Sequence, residues 1–109
     1  MQRQYFRQRF KLEGHSIIVI DGKDAGRLSL DVSPERVYIA QINLLPQFQR
    51  KGIGTAIIES VKADAAQANK PVELRVLRTN PDARRLYERL GFTVFDETET
   101  HIWMRWNQG

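Results

Sequence analysis

The sequence contains no cysteine among its 109 residues, and its two histidines, His15 and His101, are far apart. The first absence excludes disulfides, thiolate nucleophiles and cysteine-ligated zinc, and the second argues against a histidine-based metal site. No apolar run approaches the roughly 20 residues that a membrane-spanning helix requires, and the basic N-terminus lacks the apolar stretch of a signal peptide. We therefore expect a cytoplasmic protein without metal or membrane contact, whose chemistry uses carboxylates, tyrosine, hydroxyls or backbone groups.

The charge balance is basic. Seventeen Lys and Arg residues against 13 Asp and Glu residues give a net charge of +4. This balance attracts anions of several kinds, including nucleic acid, phosphate-bearing cofactors and acidic proteins. Residues 1–14 add the aromatic side chains of Tyr5, Phe6 and Phe10. This composition is compatible with a segment that lays aromatics on the core, and also with an arm that contacts RNA or a membrane.

The first half of the chain predicts an antiparallel meander of three strands. Two β-rich runs, 16–20 and 27–32, flank the turn-forming segment DGKDAG, which predicts a hairpin. After a second turn at SPE, the run RVYIAQINLL predicts a long third strand that ends at Pro46.

The second half switches to helical periodicity. Apolar residues recur at three- and four-residue intervals over 54–68, which predicts an amphipathic helix, and a strand follows over 72–77. Asn80 and Pro81 predict the start of a short helix that Gly91 ends. The remainder splits at DETET into two strands. The predicted order is β-β-β-α-β-α-β-β, an α+β fold in one domain over residues 1–109.

The segment QRKGIGTAII places two glycines between the third strand and the first helix. Because the first-turn N–H groups of a helix lack partners and its dipole favours negative charge, such a junction suits a phosphate. A P-loop would require Lys and Ser/Thr after the last glycine, and a dinucleotide fingerprint would require a third glycine where Ile57 stands. The two glycines alone therefore leave a tight turn and a phosphate loop both open.

Two motifs together resemble the GNAT superfamily of N-acetyltransferases. LLPQFQRKGIGTAII is similar to the family's acetyl-coenzyme A (acetyl-CoA) signature, Q/R-x-x-G-x-G/A at the start of a helix, with Gln49, Gly52 and Gly54 at its defining positions. LRVLRTNPDARRLYERLGF resembles the second motif: a strand, Asn, a short helix carrying Ala and Tyr, and a closing Gly-Phe. The resemblance runs from about residue 16 to 106 and implies a GNAT-like mixed, mainly antiparallel sheet.

The resemblance implies transfer of an acetyl group from acetyl-CoA to a primary amine, of a small molecule or a peptide, by direct attack in a ternary complex. It implies that Gln49 and the loop after it hold the pyrophosphate through backbone donors, at Arg50, Lys51, Gly52, Ile53, Gly54 and Thr55. It also implies that the third strand is splayed from the next one, and that the pantetheine arm pairs with its backbone near Ile42, Asn43 and Leu44.

Two residues of the second motif have a structural and a functional interpretation. Asn80 suits a helix N-cap and, by the resemblance, also a coenzyme contact. Tyr87 lies on the apolar face of its helix, which from the residues alone favours a core tyrosine. The resemblance implies instead that Tyr87 approaches the coenzyme sulfur and protonates the departing thiolate.

The sequence departs from the family's usual pattern in its acceptor half. Members usually begin with a strand and two helices before the meander, whereas only residues 1–15 precede it here. We therefore expect most of this strand and these helices to be missing, and a second subunit, a short substitute or an open site to complete the acceptor side. One hypothesis is a homodimer that buries Phe6, Phe10 or the final strand.

The general base is open at this stage. Gln41 and Asn43 stand where some relatives carry a carboxylate, and neither amide accepts a proton at neutral pH. Asp31, Glu35 and His101 are fallback candidates, although the residues by themselves favour an ordinary turn or surface role for each.

Two other functions are carried as alternatives. One is a catalytically weak or inactive acyl-CoA-binding module with a regulatory or assembly role. The other is a basic nucleic-acid-binding domain, which rests on the net charge and on residues 5–11. Under the leading interpretation, nucleic acid is not an expected partner.

Overall fold

The computed structural model describes residues 6–7, 14–20, 22–49 and 52–108, with side chains described from residue 22 onward. The strands are β1 (Phe6–Arg7), β2 (Gly14–Ile20), β3 (Lys23–Val32), β4 (Val37–Leu44), β5 (Val72–Leu77), β6 (Thr93–Glu97) and β7 (His101–Trp106). The helices are α1 (Ile53–Gln67) and α2 (Pro81–Arg89), and a 3-10 turn at Pro46–Phe48 precedes α1. The strand order in the sheet is β1-β2-β3-β4-β5-β7-β6, and every neighbouring pair is antiparallel except β4 with β5.

The α+β class and the predicted order of strands and helices are confirmed, and β1 is added at one edge of the sheet. The predicted start of the second strand at residue 27 is wrong, because β3 begins at Lys23, which pairs with Ile20. The connection is thus an Asp-Gly pair, in which Gly22 has φ +79°, a conformation that glycine adopts without strain. The predicted positions of the Tyr5, Phe6 and Phe10 side chains lie outside the described residues.

The predicted ends of α2 are confirmed. Asn80 is the N-cap, and its Oδ1 accepts a hydrogen bond from the Ala83 N–H at 3.2 Å. Gly91 has φ +96°, and the Phe92 N–H donates to the Tyr87 carbonyl at 3.0 Å, which is the Schellman pattern of helix termination. Both ends of α2 are therefore held by local hydrogen bonds, and these fix the turn that carries Tyr87.

One face of the sheet carries the hydrophobic core. Both helices pack on this face, with Ile57, Ile58, Val61 and Ala65 of α1 fully buried. At about 25 cal/mol per Å² of buried apolar surface, this packing is the main source of stability. The sheet residues in the core are Ala25, Leu28, Leu30, Val37, Ile39, Val72, Leu74, Val76, Ile102 and Met104. Neither described helix is long and apolar enough to cross a membrane, since α1, the longer one, has 15 residues.

The opposite face of the sheet carries an ion-paired carboxylate. The side chain of Glu73 is 7% exposed and accepts hydrogen bonds from Arg36 Nη1 at 2.6 Å and from Arg105 Nε at 2.8 Å. Arg36 lies just before β4, Glu73 in β5 and Arg105 in β7, so one carboxylate ties three segments together. Burial alone would raise the pKa of Glu73, but the two guanidinium groups outweigh it and lower the pKa below its ordinary value.

We expect Glu73→Gln to be less stable than the parent by about 1–3 kcal/mol at neutral pH, because the two arginines lose their counter-charge. A carboxyl whose pKa is lowered by folding stabilises the folded state above its unfolded pKa, and this contribution is lost as the pH falls through the folded pKa. The stability difference between parent and variant should therefore shrink on acidification below about pH 4. Urea unfolding of both proteins across this range measures it, and a difference independent of pH would contradict the ion pair.

Candidate functional site

Strands β4 and β5 are hydrogen-bonded only where they begin. Their parallel partners are Val37 with Val72 and Tyr38 with Glu73, whereas the other edge of β4 pairs with β3 along its whole length. Beyond Tyr38, the edge of β4 that faces β5 has no described strand partner, so its backbone groups other than the Leu44 carbonyl, which accepts from Gln49, are available to a ligand. We call this opening the β4–β5 gap. It matches the splay that the family resemblance implies.

A β-bulge at Ala40 changes which residues of β4 face the gap. Ile39 pairs with Leu30 and Gln41 pairs with Ser29, which leaves Ala40 as the extra residue. The sequence carries a signal of this bulge, because the branched aliphatic residues of β4, Val37, Ile39, Ile42 and Leu44, are spaced by two, three and two positions instead of strictly by two. The predicted third strand was regular and did not include this bulge.

The backbone of Ile42 and Leu44 faces the gap after the bulge. The Leu45 N–H donates to the Ala25 carbonyl of β3 at 2.8 Å, which orients the backbone at that position toward β3. Because backbone groups alternate in direction along a strand, Asn43 also turns its backbone toward β3, whereas Ile42 and Leu44 turn theirs to the gap. Of the three positions predicted to pair with the pantetheine arm, only Ile42 and Leu44 turn backbone groups to the gap. Asn43 can contribute only its side chain there.

Glycine and glutamine support this end of β4. A Cβ at Gly26 would lie 1.9 Å from the Asn43 carbonyl oxygen, so only glycine permits β3 to approach β4 this closely. Gln49 Nε2 donates to the Leu44 carbonyl at 2.8 Å. The signature glutamine thus ties the loop after β4 to the strand's last residue, a positioning role that the motif match alone did not specify.

The start of α1 presents unpartnered backbone donors. Gly52 is the N-cap with φ +79°, and the Ala56 N–H makes the first helical hydrogen bond, to the Gly52 carbonyl at 3.0 Å. The N–H groups of Ile53, Gly54 and Thr55 therefore have no partner within the helix, and the dipole places positive potential there. These are donors for an anion. Two further predicted positions, Arg50 and Lys51, lie outside the described residues.

Gly54 leaves open space beside these donors. Its φ is not in the left-handed region, and an added Cβ would meet only Leu44 Cδ1, at 3.9 Å. Neither the backbone conformation nor the packing of the chain requires a glycine here, whereas glycine inside a helix costs up to about 1 kcal/mol relative to alanine. The missing side chain instead enlarges the cavity that Gly54 lines.

Two adjoining cavities meet at this place. The first, the helix-side cavity, has a volume of about 460 Å³ and is lined by Ile42, Asn43, Leu44, Gln49, Gly54, Ile58, Asn80, Leu86 and Tyr87. The second, the gap cavity, has a volume of about 320 Å³ and takes its walls from both faces of the sheet. Asn80 and Tyr87 line both cavities and therefore stand at their junction.

Tyr87 is held at this junction as a neutral phenol. Its ring packs edge-on against Phe92, with centroids 5.7 Å apart and an interplanar angle of 69°. Burial raises the pKa of the Tyr87 hydroxyl above its ordinary value of about 10. The group therefore keeps its proton at neutral and mildly alkaline pH and is able to donate it.

The other polar side chains that line these cavities differ in the hydrogen-bonding groups that they present to a ligand. Asn80 uses its Oδ1 as the cap of α2, which leaves its amide group as a donor. His101 lines the gap cavity, and its Nδ1 lies 2.8 Å from Thr100 Oγ1. Its Nε2 has no hydrogen-bond partner among the described residues and is available to a ligand. Asp31 and Glu35, the other fallback bases, are not among the described residues that line either cavity. Within the described ranges, no cluster of three His, Asp or Glu residues is arranged to hold a metal ion.

Known structures resemble this fold. The ribosomal-protein-S18-alanine N-acetyltransferase from Escherichia coli has a TM-score of 0.79 and 23% identity, over 91% of this chain and 71% of that one. A GNAT family acetyltransferase from Elizabethkingia anophelis with acetyl-CoA bound has a TM-score of 0.76 and 16% identity, over 85% and 74%. PH1933 from Pyrococcus horikoshii OT3 has a TM-score of 0.73 and 22% identity, over 85% and 64%. The chain thus spans less than two thirds of the length of the last of these proteins.

Comparison of the sequence with known families identifies the family, whereas the structural similarity above shows only the fold. No protein of curated function matches the chain by sequence. The model of the acetyltransferase (GNAT) family matches residues 2–92, which is most of the chain and includes both motifs identified above. The chain therefore belongs to the acetyltransferase (GNAT) family.

Proposed function

We propose that this chain, acting as one domain over residues 1–109, is an N-acetyltransferase that uses acetyl-CoA to acetylate a primary amine. The observation that carries the proposal is the meeting of three features at one place. These are the open edge of β4, the unpartnered N–H groups at the start of α1, and the hydroxyl of the half-buried Tyr87. Each suits a different part of a thioester donor: its amide-containing arm, its pyrophosphate and its sulfur.

The residues present fit the coenzyme. The first-turn N–H groups of Ile53, Gly54 and Thr55 would bind the pyrophosphate, with Arg50 and Lys51 as further proposed donors. The strand-edge groups of Ile42 and the N–H of Leu44 would pair with the pantetheine arm, much as a neighbouring strand pairs, while the Leu44 carbonyl accepts from Gln49. Asn43, Gln49, Gly52 and Asn80 complete the proposed set. The open volume beside Gly54 supports this fit, because a bulky side chain there would occupy part of the helix-side cavity that Gly54 lines.

The proposed reaction is a direct transfer within a ternary complex. When bound, acetyl-CoA supplies an acetyl thioester; overall, a C–N bond to the amine forms and the C–S bond breaks. Tyr87 donates its phenolic proton toward the leaving sulfur, since burial raises its pKa and the hydroxyl is protonated at neutral pH. Unpaired N–H groups of β4 in the gap stabilise negative charge that develops on an oxygen placed there. The amine loses a proton to His101 or to water, and the Tyr87 phenolate regains a proton from solvent, so that the products are an amide and the coenzyme thiol.

A second function is favoured by one observation. None of the described residues that line the gap cavity is Asp or Glu, so no carboxylate stands ready as a general base. This supports the alternative of an acyl-CoA-binding module with little or no turnover.

The proposed homodimer gains support from the sheet face opposite the helices, which no described helix covers. The dimer and the cytoplasmic location both stay predictions.

The experiment that separates these functions measures acceptor-dependent release of coenzyme thiol. Because the chain has no cysteine, a thiol-reactive dye detects only the released coenzyme. The purified chain is mixed with acetyl-CoA and a panel of amino acids, polyamines and short peptides, and acetylated products are identified by mass spectrometry. We expect release that depends on the amine. Saturable acetyl-CoA binding with no release across the panel would favour the module, and absence of binding would contradict both functions.

A further inference from the structure

The gap cavity joins the two faces of the sheet. Tyr87, Asn80 and Ala83 line it from the helix side. Arg75 and His101 line it from the opposite face, where cross-strand pairing places Arg75 beside Trp103 and His101 beside Leu77. A donor bound along α1 therefore leaves the opposite face as the approach for the amine. The residues on that face decide which amines are accepted.

Arg75 is the one Lys, Arg, Asp or Glu among the described residues that line the gap cavity. Three other arginines near Arg75 have carboxylate partners, whereas Arg27, which pairs with Asn43 across β3 and β4, has no salt bridge between described residues and does not line the gap cavity. Arg36 and Arg105 pair with Glu73, and Arg78 pairs with Glu97 at 2.6 Å. No salt bridge between described residues includes Arg75, whose guanidinium lies over the Trp103 ring at 5.6 Å from its centroid. The aromatic ring holds the guanidinium without neutralising its charge.

We propose that the acceptor is a primary amine that also carries an anionic group, and that Arg75 binds this group. The inference rests on the proposed function and adds the class of its acceptor. A guanidinium presents a planar fork of donors that matches carboxylate and phosphate oxygens. The same charge repels a cationic acceptor, and the described walls of the cavity offer it no carboxylate in return. Polyamines and lysine-rich peptides are thus disfavoured by unpaired like charge, which is the repulsive half of specificity.

The test compares acceptors that differ only in charge. One arm uses the peptide amides Asp-Ala-Ala and Asn-Ala-Ala, and a second uses glycine and glycinamide at equal concentrations of unprotonated amine. Comparison of the two arms shows whether the anionic acceptor is a peptide or a free amino acid. Since a hydrogen bond to a charged group contributes about 1.5–3 kcal/mol, the anionic member of the preferred arm should have a kcat/KM about 10-fold to 100-fold higher.

Variants assign this preference to Arg75. Arg75→Gln should abolish the preference, Arg75→Glu should reverse it in favour of a lysine-initiated peptide, and Arg75→Lys should keep part of it. Arg89→Glu is the matched control, because Arg89 is exposed at the C-terminal end of α2, away from both cavities, and the change in net charge is the same as in Arg75→Glu. Its preference should equal that of the parent.

A binding readout makes the test independent of turnover. In the presence of coenzyme A, titration with Asp-Ala-Ala amide should shift the NMR signal of the Trp103 indole N–H, and Asn-Ala-Ala amide should shift it much less. Parent turnover that is indifferent to acceptor charge, or a preference that survives in Arg75→Gln, overturns the inference and leaves the proposed function standing. If no amine is acetylated, the proposed enzyme fails. In that case, a shift of the Trp103 indole N–H signal that Asp-Ala-Ala amide causes in the parent but not in Arg75→Gln still supports the anion site. If Asp-Ala-Ala amide causes no such shift in the parent, the inference is overturned.

Discussion

Gly54→Trp is expected to lose acetyl-CoA binding, with an affinity at least about 100-fold lower than that of the parent. The indole would enter the helix-side cavity, whose walls include Leu44, Gln49 and Asn80. It would stand in front of the first-turn N–H groups that we propose as the pyrophosphate donors. Calorimetry with acetyl-CoA measures the loss, and thermal unfolding without ligand shows whether the variant is folded.

Two companion variants separate binding from stability. Ala63→Trp places the same bulk on an exposed position of the same helix and should leave the affinity unchanged. Gly54→Ala should unfold at the same or a higher temperature than the parent, because alanine favours the helix by up to about 1 kcal/mol. Because the signature accepts alanine at this position and an added Cβ would meet only Leu44 Cδ1, at 3.9 Å, we expect this variant to retain acetyl-CoA binding. If acetyl-CoA raises the melting temperature of Gly54→Trp as much as that of the parent, the proposed site is misplaced.

Tyr87→Phe is expected to lower kcat by about 100-fold or more, the usual contribution of a positioned general acid. The phenyl ring keeps the edge-on packing against Phe92, so the fold and the cavity walls are retained. Because the hydroxyl acts on the leaving sulfur in the transition state, the dissociation constant of acetyl-CoA should change by no more than about threefold.

Steady-state kinetics with a saturating amine, together with calorimetry, tests the role of Tyr87. Because burial raises the pKa of Tyr87, the parent should not lose activity through this group between pH 7 and about pH 10. A kcat within twofold of the parent would remove Tyr87 from the proposed catalytic step. A large loss of acetyl-CoA affinity with unchanged kcat would reassign Tyr87 to binding alone.

Local signals in the sequence predicted the second half of the fold well. The strand Val72–Leu77 and the cap at Asn80 agree with the structure, because alternation, N-capping and glycine termination act within a few residues of the chain. The first hairpin was predicted less well. Its turn segment contains two glycines, and only the pairing of Ile20 with Lys23 shows that the turn uses Gly22 and not Gly26.

The candidate site was predicted as a set of residues but not as a geometry. The bulge at Ala40 and the separation of β4 from β5 depend on pairing between distant segments. They decide that Ile42 and not Asn43 turns its backbone to the gap. Similarly, Arg75 reads in the sequence as an ordinary exposed strand residue. Its place in the gap cavity follows from the strand order, which pairs β5 with β7 instead of extending its contact with β4.

The most direct test of the central claim is an NMR titration of the chain with acetyl-CoA, read at assigned backbone amides. We expect saturable shifts of Ile53, Gly54 and Thr55 at the start of α1 and of Ile42 and Leu44 at the edge of β4. Amides of the β6–β7 turn, such as Thr98, should stay unchanged. Shifts confined to other parts of the chain, or no saturable change, would contradict a coenzyme site formed by the β4–β5 gap and the first turn of α1.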